Sequence, residues 1–220
     1  MGIINWQYLQ NLLLAAIASV LAIVIHELAH GFSAYLMGDA TAKNDGRLSL
    51  NPLKHIDPIG ALCLVLFHFG WAKPVPVNPY LFKNRKWGMV FVSASGPVSN
   101  LLLAFIALIT FTLLNDVFLI GGTIQTTSVL SIVDQFLILF AQINLGLFVF
   151  NLIPVPPLDG SKILAQFLPP KPRYTYLSFE KYGGLVLFVA VYILHIGDAL
   201  GSAINFLFYQ LFNLITRIFV

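Results

Sequence analysis

The chain has few charged residues and a single cysteine. Asp, Glu, Lys and Arg make up 10% of its 220 residues, whereas hydrophobic residues make up 58%. So few charged side chains cannot cover the surface of a soluble protein of this size, which excludes an ordinary globular fold. Because Cys63 is the only cysteine, no intrachain disulfide can form, and its apolar neighbours favour packing over a nucleophilic role.

Long apolar segments take the place of the missing polar surface. At about 20 residues per span, we predict an all-α polytopic membrane protein with four or five transmembrane helices, near 9–37, 88–114, 129–153 and 182–197, with a further apolar stretch at 200–219. Gly197 and Gly201 leave two possibilities open at the end, a turn between short spans or one interrupted helix. No basic residues precede the first stretch, so we expect a retained span rather than a cleaved signal peptide.

Two features are predicted between the first two spans. The run from Ile59 to Phe69 is too short to cross and predicts a re-entrant or interfacial segment. Asp45-Gly46, followed by alternating apolar residues, predicts a short β-hairpin over residues 43–50. This edge or the segment 62–78 could bind an unwound peptide by strand addition. The alternative is a loop that only seals the site.

The basic residues predict the orientation of the chain. Eleven of the twelve Lys and Arg lie in two stretches, one before the second span and one after the third. The positive-inside rule therefore places both stretches in the cytoplasm, and the N-terminus and the loop 115–128 outside. These residues form no runs and do not alternate with stacking aromatics, which argues against nucleic acid as a partner.

Residues 26–30 read His-Glu-Leu-Ala-His and lie within the apolar run 12–37. On a helix His26 and His30 share one face, so both imidazoles can bind one metal ion with Glu27 beside it. Ionisable groups are costly in hydrocarbon, and a cluster of them there indicates a functional site. The alternative is a pair of buried histidines hydrogen-bonded to neighbouring helices.

A catalytic zinc site needs a third protein ligand and an open position. Asp134 lies near the outer end of the third span, and Asp198 is similarly far from the histidines. Asp159 follows the third span on the side predicted for the histidines, after three prolines that cannot continue a helix. Asp159 is therefore the candidate third ligand. The alternative is that it only caps a helix over 160–168.

Several motifs in one order resemble the site-2 protease (peptidase M50) family of intramembrane zinc metalloproteases. They are His26-Glu27-Leu28-Ala29-His30, Gly96-Pro97-Val98-Ser99-Asn100, and Asn151-x-x-Pro154 leading to Leu158-Asp159-Gly160, with similar stretches at 51–58 and 70–79. The resemblance covers about residues 20–168 and is to small bacterial and archaeal members without PDZ or CBS modules. It implies that His26, His30 and Asp159 bind one Zn²⁺ and that Glu27 is the catalytic base.

Three further residues are candidates near this site. Asn151 could orient the substrate or hydrogen-bond the developing oxyanion, as the resemblance also suggests, or it could cap carbonyls freed before Pro154. Gly96 belongs to a small-residue face that predicts close helix packing, and Asn100 predicts a hydrogen bond across that contact. His55 and His68 are expected to be packed or interfacial rather than ligands.

These observations predict a single membrane-embedded metalloprotease domain over residues 1–220, with a catalytic core at about 9–168. Water activated by zinc and Glu27 would hydrolyse peptide bonds within or near transmembrane segments of membrane-protein substrates, as in regulated intramembrane proteolysis. A substrate helix must first unwind to expose its carbonyls. We expect a multi-pass protein of a prokaryotic cell membrane, with its active site toward the cytoplasm and the bilayer and a transmembrane substrate as partners.

Two other functions compete with this prediction. One is a non-catalytic zinc-binding membrane protein or zinc carrier, and the other is a purely structural membrane protein. A carrier typically has several intramembrane polar sites along a path, with repeat symmetry between its halves. The sequence instead has one compact cluster and no internal repeat, and a structural protein leaves that cluster unexplained.

Overall fold

The computed structural model describes residues 6–55, 57, 73–119, 128–190 and 196–219. Regular structure in these residues is entirely helical, which confirms the all-α prediction. The helices are α1 (Trp6–Leu36), α2 (Thr41–Asn44), α3 (Arg85–Leu119), α4 (Ser128–Asn151), α5 (Asp159–Ala165), α6 (Pro170–Ser178), α7 (Gly183–Phe188) and α8 (Ile196–Phe219). Short 3-10 turns lie at Pro52–Lys54, Pro79–Leu81 and Phe179–Tyr182.

Four of these helices, α1, α3, α4 and α8, are long and apolar enough to cross a membrane. The first three lie where the apolar runs predicted them. The fourth, α8, covers the predicted apolar stretch 200–219. Within the predicted span 182–197 the described residues include the short helix α7, and that span stays a prediction. Residues 191–195 lie outside the described residues, as do the predicted re-entrant segment 59–69, Cys63 and His68.

The predicted β-hairpin over residues 43–50 is wrong, because the described part of the chain contains no strand there or elsewhere. The carboxylate of Asp39 accepts hydrogen bonds from the backbone and hydroxyl of Thr41, which is the first residue of the helical turn α2. Gly46 then reverses the chain at a φ of 62°, a conformation that favours glycine. Of the apolar residues that follow, Leu48 lies against Gly31 of α1, while Leu50 is exposed.

The central helix is α3, which contacts α1, α4, α5 and α8. Its second half packs against α4 and α8 through a buried apolar cluster composed of Ala104, Ala107, Leu108, Ala141, Leu145 and Ile215. Alanines in this cluster let the helices approach closely, as small residues do at membrane helix interfaces. The first half of α3 lies instead against the part of α1 that carries the histidines.

Candidate metal centre and active site

His26, His30 and Asp159 converge on one buried point. The two histidines lie one turn apart on α1, and Asp159 is the first residue of α5. The Nε2 atoms of His26 and His30 are 3.0 Å apart, and Oδ2 of Asp159 lies 3.2 Å from the first and 3.1 Å from the second. These three are the group of His, Cys, Asp and Glu side chains in the described residues that could hold a metal ion.

The surrounding hydrogen bonds leave both Nε2 atoms free to act as ligands. Nδ1 of His30 lies 2.7 Å from the carbonyl oxygen of Val92, which can only accept, so this nitrogen carries the hydrogen. Nδ1 of His26 lies 2.6 Å from Oδ1 of Asn100. Two lone pairs and a carboxylate oxygen then face one another, an arrangement that a cation between them would stabilise.

The size and chemistry of this triangle fit zinc. Ligand atoms of a tetrahedral Zn²⁺ with bonds of about 2.0–2.1 Å are separated by about 3.3–3.4 Å, close to the observed sides of 3.0–3.2 Å. Two imidazoles and one carboxylate are a typical ligand set for catalytic zinc, with the fourth position open. Zinc-binding histidines usually donate from the ring nitrogen that does not bind the metal to a nearby acceptor, as Nδ1 of each histidine does here.

The chain around Asp159 folds so that its carboxylate faces the histidines. The N-cap of α5 is Leu158, which makes no side-chain capping bond, so Asp159 occupies the first helical position instead of the cap. A Cβ atom at Gly160 would overlap the backbone of Leu152, so only glycine allows this close approach. Nζ of Lys162 lies 3.4 Å from Oδ1 of Asp159. Oδ1 is the carboxylate oxygen that does not face the imidazoles.

Gly96 of α3 lies directly against the two imidazoles. A Cβ atom at this position would overlap Nε2 of His30 and Cε1 of His26. The neighbouring Ser95 forms a hydrogen bond of 2.8 Å with Ser33 of α1, between their hydroxyl groups. The predicted small-residue contact of the two helices therefore lies beside His26 and His30.

Glu27 follows His26 on α1 and is partly buried. Its Oε2 accepts a hydrogen bond of 2.8 Å from the backbone N–H of Val75. Val75 belongs to the extended segment 73–78, which we call the strap. Arg47 donates to the carbonyls of Lys73 and Pro74 and so fixes the beginning of the strap beside α1.

The end of the strap is fixed by Asp39, which is fully buried. Its Oδ2 accepts a hydrogen bond of 2.6 Å from the N–H of Asn78, and its Oδ1 accepts from Thr41. Burial alone would raise the pKa of Asp39, but the hydrogen bonds from Asn78 and Thr41 outweigh it and hold the pKa below its usual range. Asp39 thus links the end of α1, the start of α2 and the strap.

Three other candidates from the sequence make hydrogen bonds to groups outside the triangle. Asn151 donates to the carbonyl of Leu147, one turn back on α4, which is the contact expected of a capping residue. Asp134 accepts a hydrogen bond of 3.2 Å from Asn115 near the opposite end of the helices. His55 is buried and contacts the carbonyl of Ser49 through Nε2.

Asn144 is a site residue that the sequence analysis did not identify. Its Oδ1 accepts a hydrogen bond of 2.8 Å from Asn100, the residue that contacts His26. Both asparagines are fully buried. An amide in the middle of the apolar helix α4 was the available signal, because polar groups at membrane depth indicate function.

Comparison with known proteins identifies the family. The model described as "Peptidase family M50" matches residues 14–194. YwhC of Bacillus subtilis, which bears the name of a zinc metalloprotease, is 41% identical over 182 residues, covering 83% of this chain and 81% of its own length.

More distant relatives bear the same description. Rip2 of Mycolicibacterium smegmatis is 28% identical over 184 residues, covering 77% of this chain and 63% of its own length. Rip2 of Mycobacterium tuberculosis is 29% identical over 180 residues, covering 78% of this chain and 64% of its own length. No solved structure gives a significant match. The chain belongs to peptidase family M50 and is a zinc metalloprotease.

Proposed function

We propose that His26, His30 and Asp159 hold the zinc ion, and that Glu27 is the general base for hydrolysis of peptide bonds within or near transmembrane segments of membrane proteins. One observation carries the proposal. Three ligand atoms with no more than 3.2 Å between any two converge at a buried point on a membrane-spanning helix, next to a carboxylate of the same helical turn.

The chemistry divides between the metal and the chain. Zinc lowers the pKa of water in such a site toward about 7 and polarises a carbonyl as a Lewis acid. Glu27 takes the proton from the attacking water and transfers it to the leaving amine. The lysine at position 162 holds the outer oxygen of Asp159, which keeps the inner oxygen directed at the histidines.

The strap supports this role by orienting Glu27. Pro74 and Pro76 lack an N–H, and the N–H groups of Lys73, Val75 and Asn78 donate to His55, Glu27 and Asp39. Among strap residues only Val77 retains an N–H without a partner in the described part of the chain. Three of the four N–H groups of residues 73–78 thus have partners within the chain, one of them Glu27, and strand addition of a substrate to the segment 62–78 stays a prediction.

Substrate access is inferred from the surroundings of the site. A transmembrane substrate hides its amides in helical hydrogen bonds and must unwind before one of its carbonyls reaches Glu27. His30 lies six residues before the end of α1, or about 9 Å along the helix. Because basic residues follow α1 and precede α3, we infer that this end faces the cytoplasm and that substrates are cleaved near that surface.

A first experiment tests the metal ligands. Purified wild-type protein should contain about one zinc per chain, and His26→Ala, His30→Ala and Asp159→Ala should each weaken binding strongly. Asp45→Ala is the matched control, because Asp45 is an exposed carboxylate away from the triangle. Zinc content measured by atomic emission, with a chelator competition for affinity, gives the result. Full zinc retention by Asp159→Ala would remove this residue from the site.

A second experiment tests catalysis. Glu27→Gln keeps the size of the side chain and removes the base, so it should retain zinc while cleavage falls about 10²- to 10⁴-fold. The substrates are a panel of single-span peptides in proteoliposomes, and Glu180→Gln, at an exposed position, is the control. Wild-type cleavage by Glu27→Gln would refute the mechanism. Zinc binding without cleavage of any peptide by the wild type would favour the non-catalytic alternative.

A further inference from the structure

A chain of buried amide hydrogen bonds crosses three helices and ends at His26. Asn144 on α4 donates from Nδ2 to the carbonyl of Phe140 at 2.8 Å. Its Oδ1 accepts from Nδ2 of Asn100 on α3, also at 2.8 Å. Oδ1 of Asn100 then lies 2.6 Å from Nδ1 of His26 on α1. This series of hydrogen bonds has a definite direction, because each bond fixes which end of the next side chain donates and which end accepts.

The direction begins at backbone carbonyls, which can only accept. The carbonyl of Phe140 requires the NH₂ end of Asn144, so the oxygen of Asn144 faces Asn100. That oxygen, together with the carbonyl of Ala22 at 3.3 Å, requires the NH₂ end of Asn100. The oxygen of Asn100 must therefore face His26, and Nδ1 of His26 must carry the hydrogen. Nε2 of His26 is left with a lone pair directed at the metal centre.

The two histidines reach the same tautomer by different means. His30 contacts the carbonyl of Val92, which is part of the α3 backbone and has no alternative orientation. His26 contacts a side-chain amide, whose two ends are nearly the same size and could exchange by a half turn. The metal-binding form of His26 therefore depends on whatever fixes the amide of Asn100.

We propose that Asn144 is a positioning residue for zinc binding, which acts by fixing the amide of Asn100 and through it the tautomer of His26. This inference deepens the proposed function, since it rests on His26 as a zinc ligand. The hydrogen bonds of Asn144 go to Asn100 and to the carbonyl of Phe140, one step removed from His26. Outer-shell partners of zinc ligands typically change metal affinity 10- to 100-fold.

The central test measures zinc affinity in Asn144→Leu by chelator competition. We expect a 10- to 100-fold weaker affinity than in the wild type. Asn115→Leu is the matched control, because Asn115 on α3 also donates an amide bond to α4, at Asp134, remote from the histidines. The control should bind zinc normally. Thermal unfolding of the zinc-free proteins shows whether both variants lose similar stability, and Asn144→Ala replaces Asn144→Leu if leucine prevents folding.

A second background separates positioning from simple packing. In Asn100→Asp both ends of the side chain accept, so Nδ1 of His26 finds an acceptor whichever oxygen faces it. The other oxygen then faces the carbonyl of Ala22 and Oδ1 of Asn144, so Asn100→Asp by itself loses both of these hydrogen bonds. The effect of Asn144→Leu is therefore measured within this background, where it should cost no further zinc affinity. The visible absorption spectrum of the Co²⁺-substituted protein should be changed by Asn144→Leu when residue 100 is Asn and unchanged by it when residue 100 is Asp.

The outcomes are distinguishable. An equal loss of zinc affinity from Asn144→Leu in both backgrounds, or no loss in either, would overturn the role of Asn144. If the wild type binds no zinc, or binds it without need of His26, the proposed function itself fails. The inference is supported if Asn144→Leu weakens zinc binding when residue 100 is Asn and has no effect on zinc binding when residue 100 is Asp.

Discussion

The two halves of α3 perform different tasks within one continuous helix. Residues 85–100, the site half, present small and polar groups to α1, among them Gly96 and Asn100. Residues 101–119, the core half, present alanines and Leu108 to α4 and α8. Buried polar groups contribute little net stability but fix orientation, whereas apolar packing contributes stability without orientation. Substitutions in the two halves should therefore separate metal binding from folding.

The largest effect on binding is expected at Gly96. A Cβ atom there would overlap both imidazoles, so Gly96→Ala should weaken zinc affinity by about 10- to 100-fold. Gly146→Ala on α4 is the control, because its Cβ atom would meet only Ile204, at an ordinary 3.7 Å. Both substitutions gain the same helix propensity of about 1 kcal/mol. Normal zinc affinity of Gly96→Ala in a chelator competition would show that the site half tolerates displacement of the histidines.

The core half should show the opposite pattern. Leu108 is fully buried, and Leu108→Ala should lower the free energy of unfolding by about 2–5 kcal/mol through the cavity it leaves. Zinc affinity of the folded protein should stay unchanged. Leu102→Ala is the control, since Leu102 is on the same helix and is 56% exposed. Unfolding in detergent measures the difference, and a large loss of zinc affinity in Leu108→Ala would contradict the division between the halves.

The smallest effect is expected outside the spans, at Asp39. Asp39→Asn replaces the charged acceptor of the Asn78 N–H with a neutral amide, which presents either its oxygen or its NH₂ group. Loss of the charged hydrogen bond should lower the free energy of unfolding by about 1–2 kcal/mol at neutral pH. Because the pKa of Asp39 is lowered in the folded state, its contribution is present above the ordinary value of 3.8 and is lost as pH falls through the folded-state pKa. The difference in melting temperature between wild type and Asp39→Asn should therefore shrink at low pH. A difference that stays constant from pH 7 to pH 3 would show that the charge of Asp39 is immaterial.

The sequence predicted most of the helices and the convergence of three residues. Helical spacing places His26 and His30 on one face, and the prolines before Asp159 restrict where the chain can resume. The structure brings these residues together as expected. Length and hydropathy located three spans because a bilayer sets a minimum length for an apolar helix.

The hairpin prediction was wrong because hydrogen bonds of one nearby side chain favour a different local structure. The turn signal at Asp45-Gly46 was real, since Gly46 has a positive φ, but it ends the short helix α2 rather than joining two strands. The side chain of Asp39 bonds both Thr41, the first residue of that helix, and Asn78 at the end of the strap. A contact between residues 39 positions apart in the sequence carries no local pattern that could reveal it.

Asn144 shows a different limit. The residue stands out in an apolar span, yet its partner Asn100 lies 44 positions away on another helix. Which face of α4 meets which face of α3 depends on the rotation of both helices in the bundle. Periodicity alone leaves that rotation undetermined when a helix is apolar on nearly every side.

Because Val75 lies between two prolines, hydrogen–deuterium exchange at its amide can be measured without a signal from its neighbours. Pro74 and Pro76 have no exchangeable backbone hydrogen, so a deuterium signal from residues 74–76 comes from one group alone. That group donates to Glu27 in the resting protein and should exchange slowly with solvent. Loss of the bond to Glu27 would leave the same hydrogen without its acceptor. The rate of deuterium uptake at this one amide should thus report how often Glu27 separates from the strap.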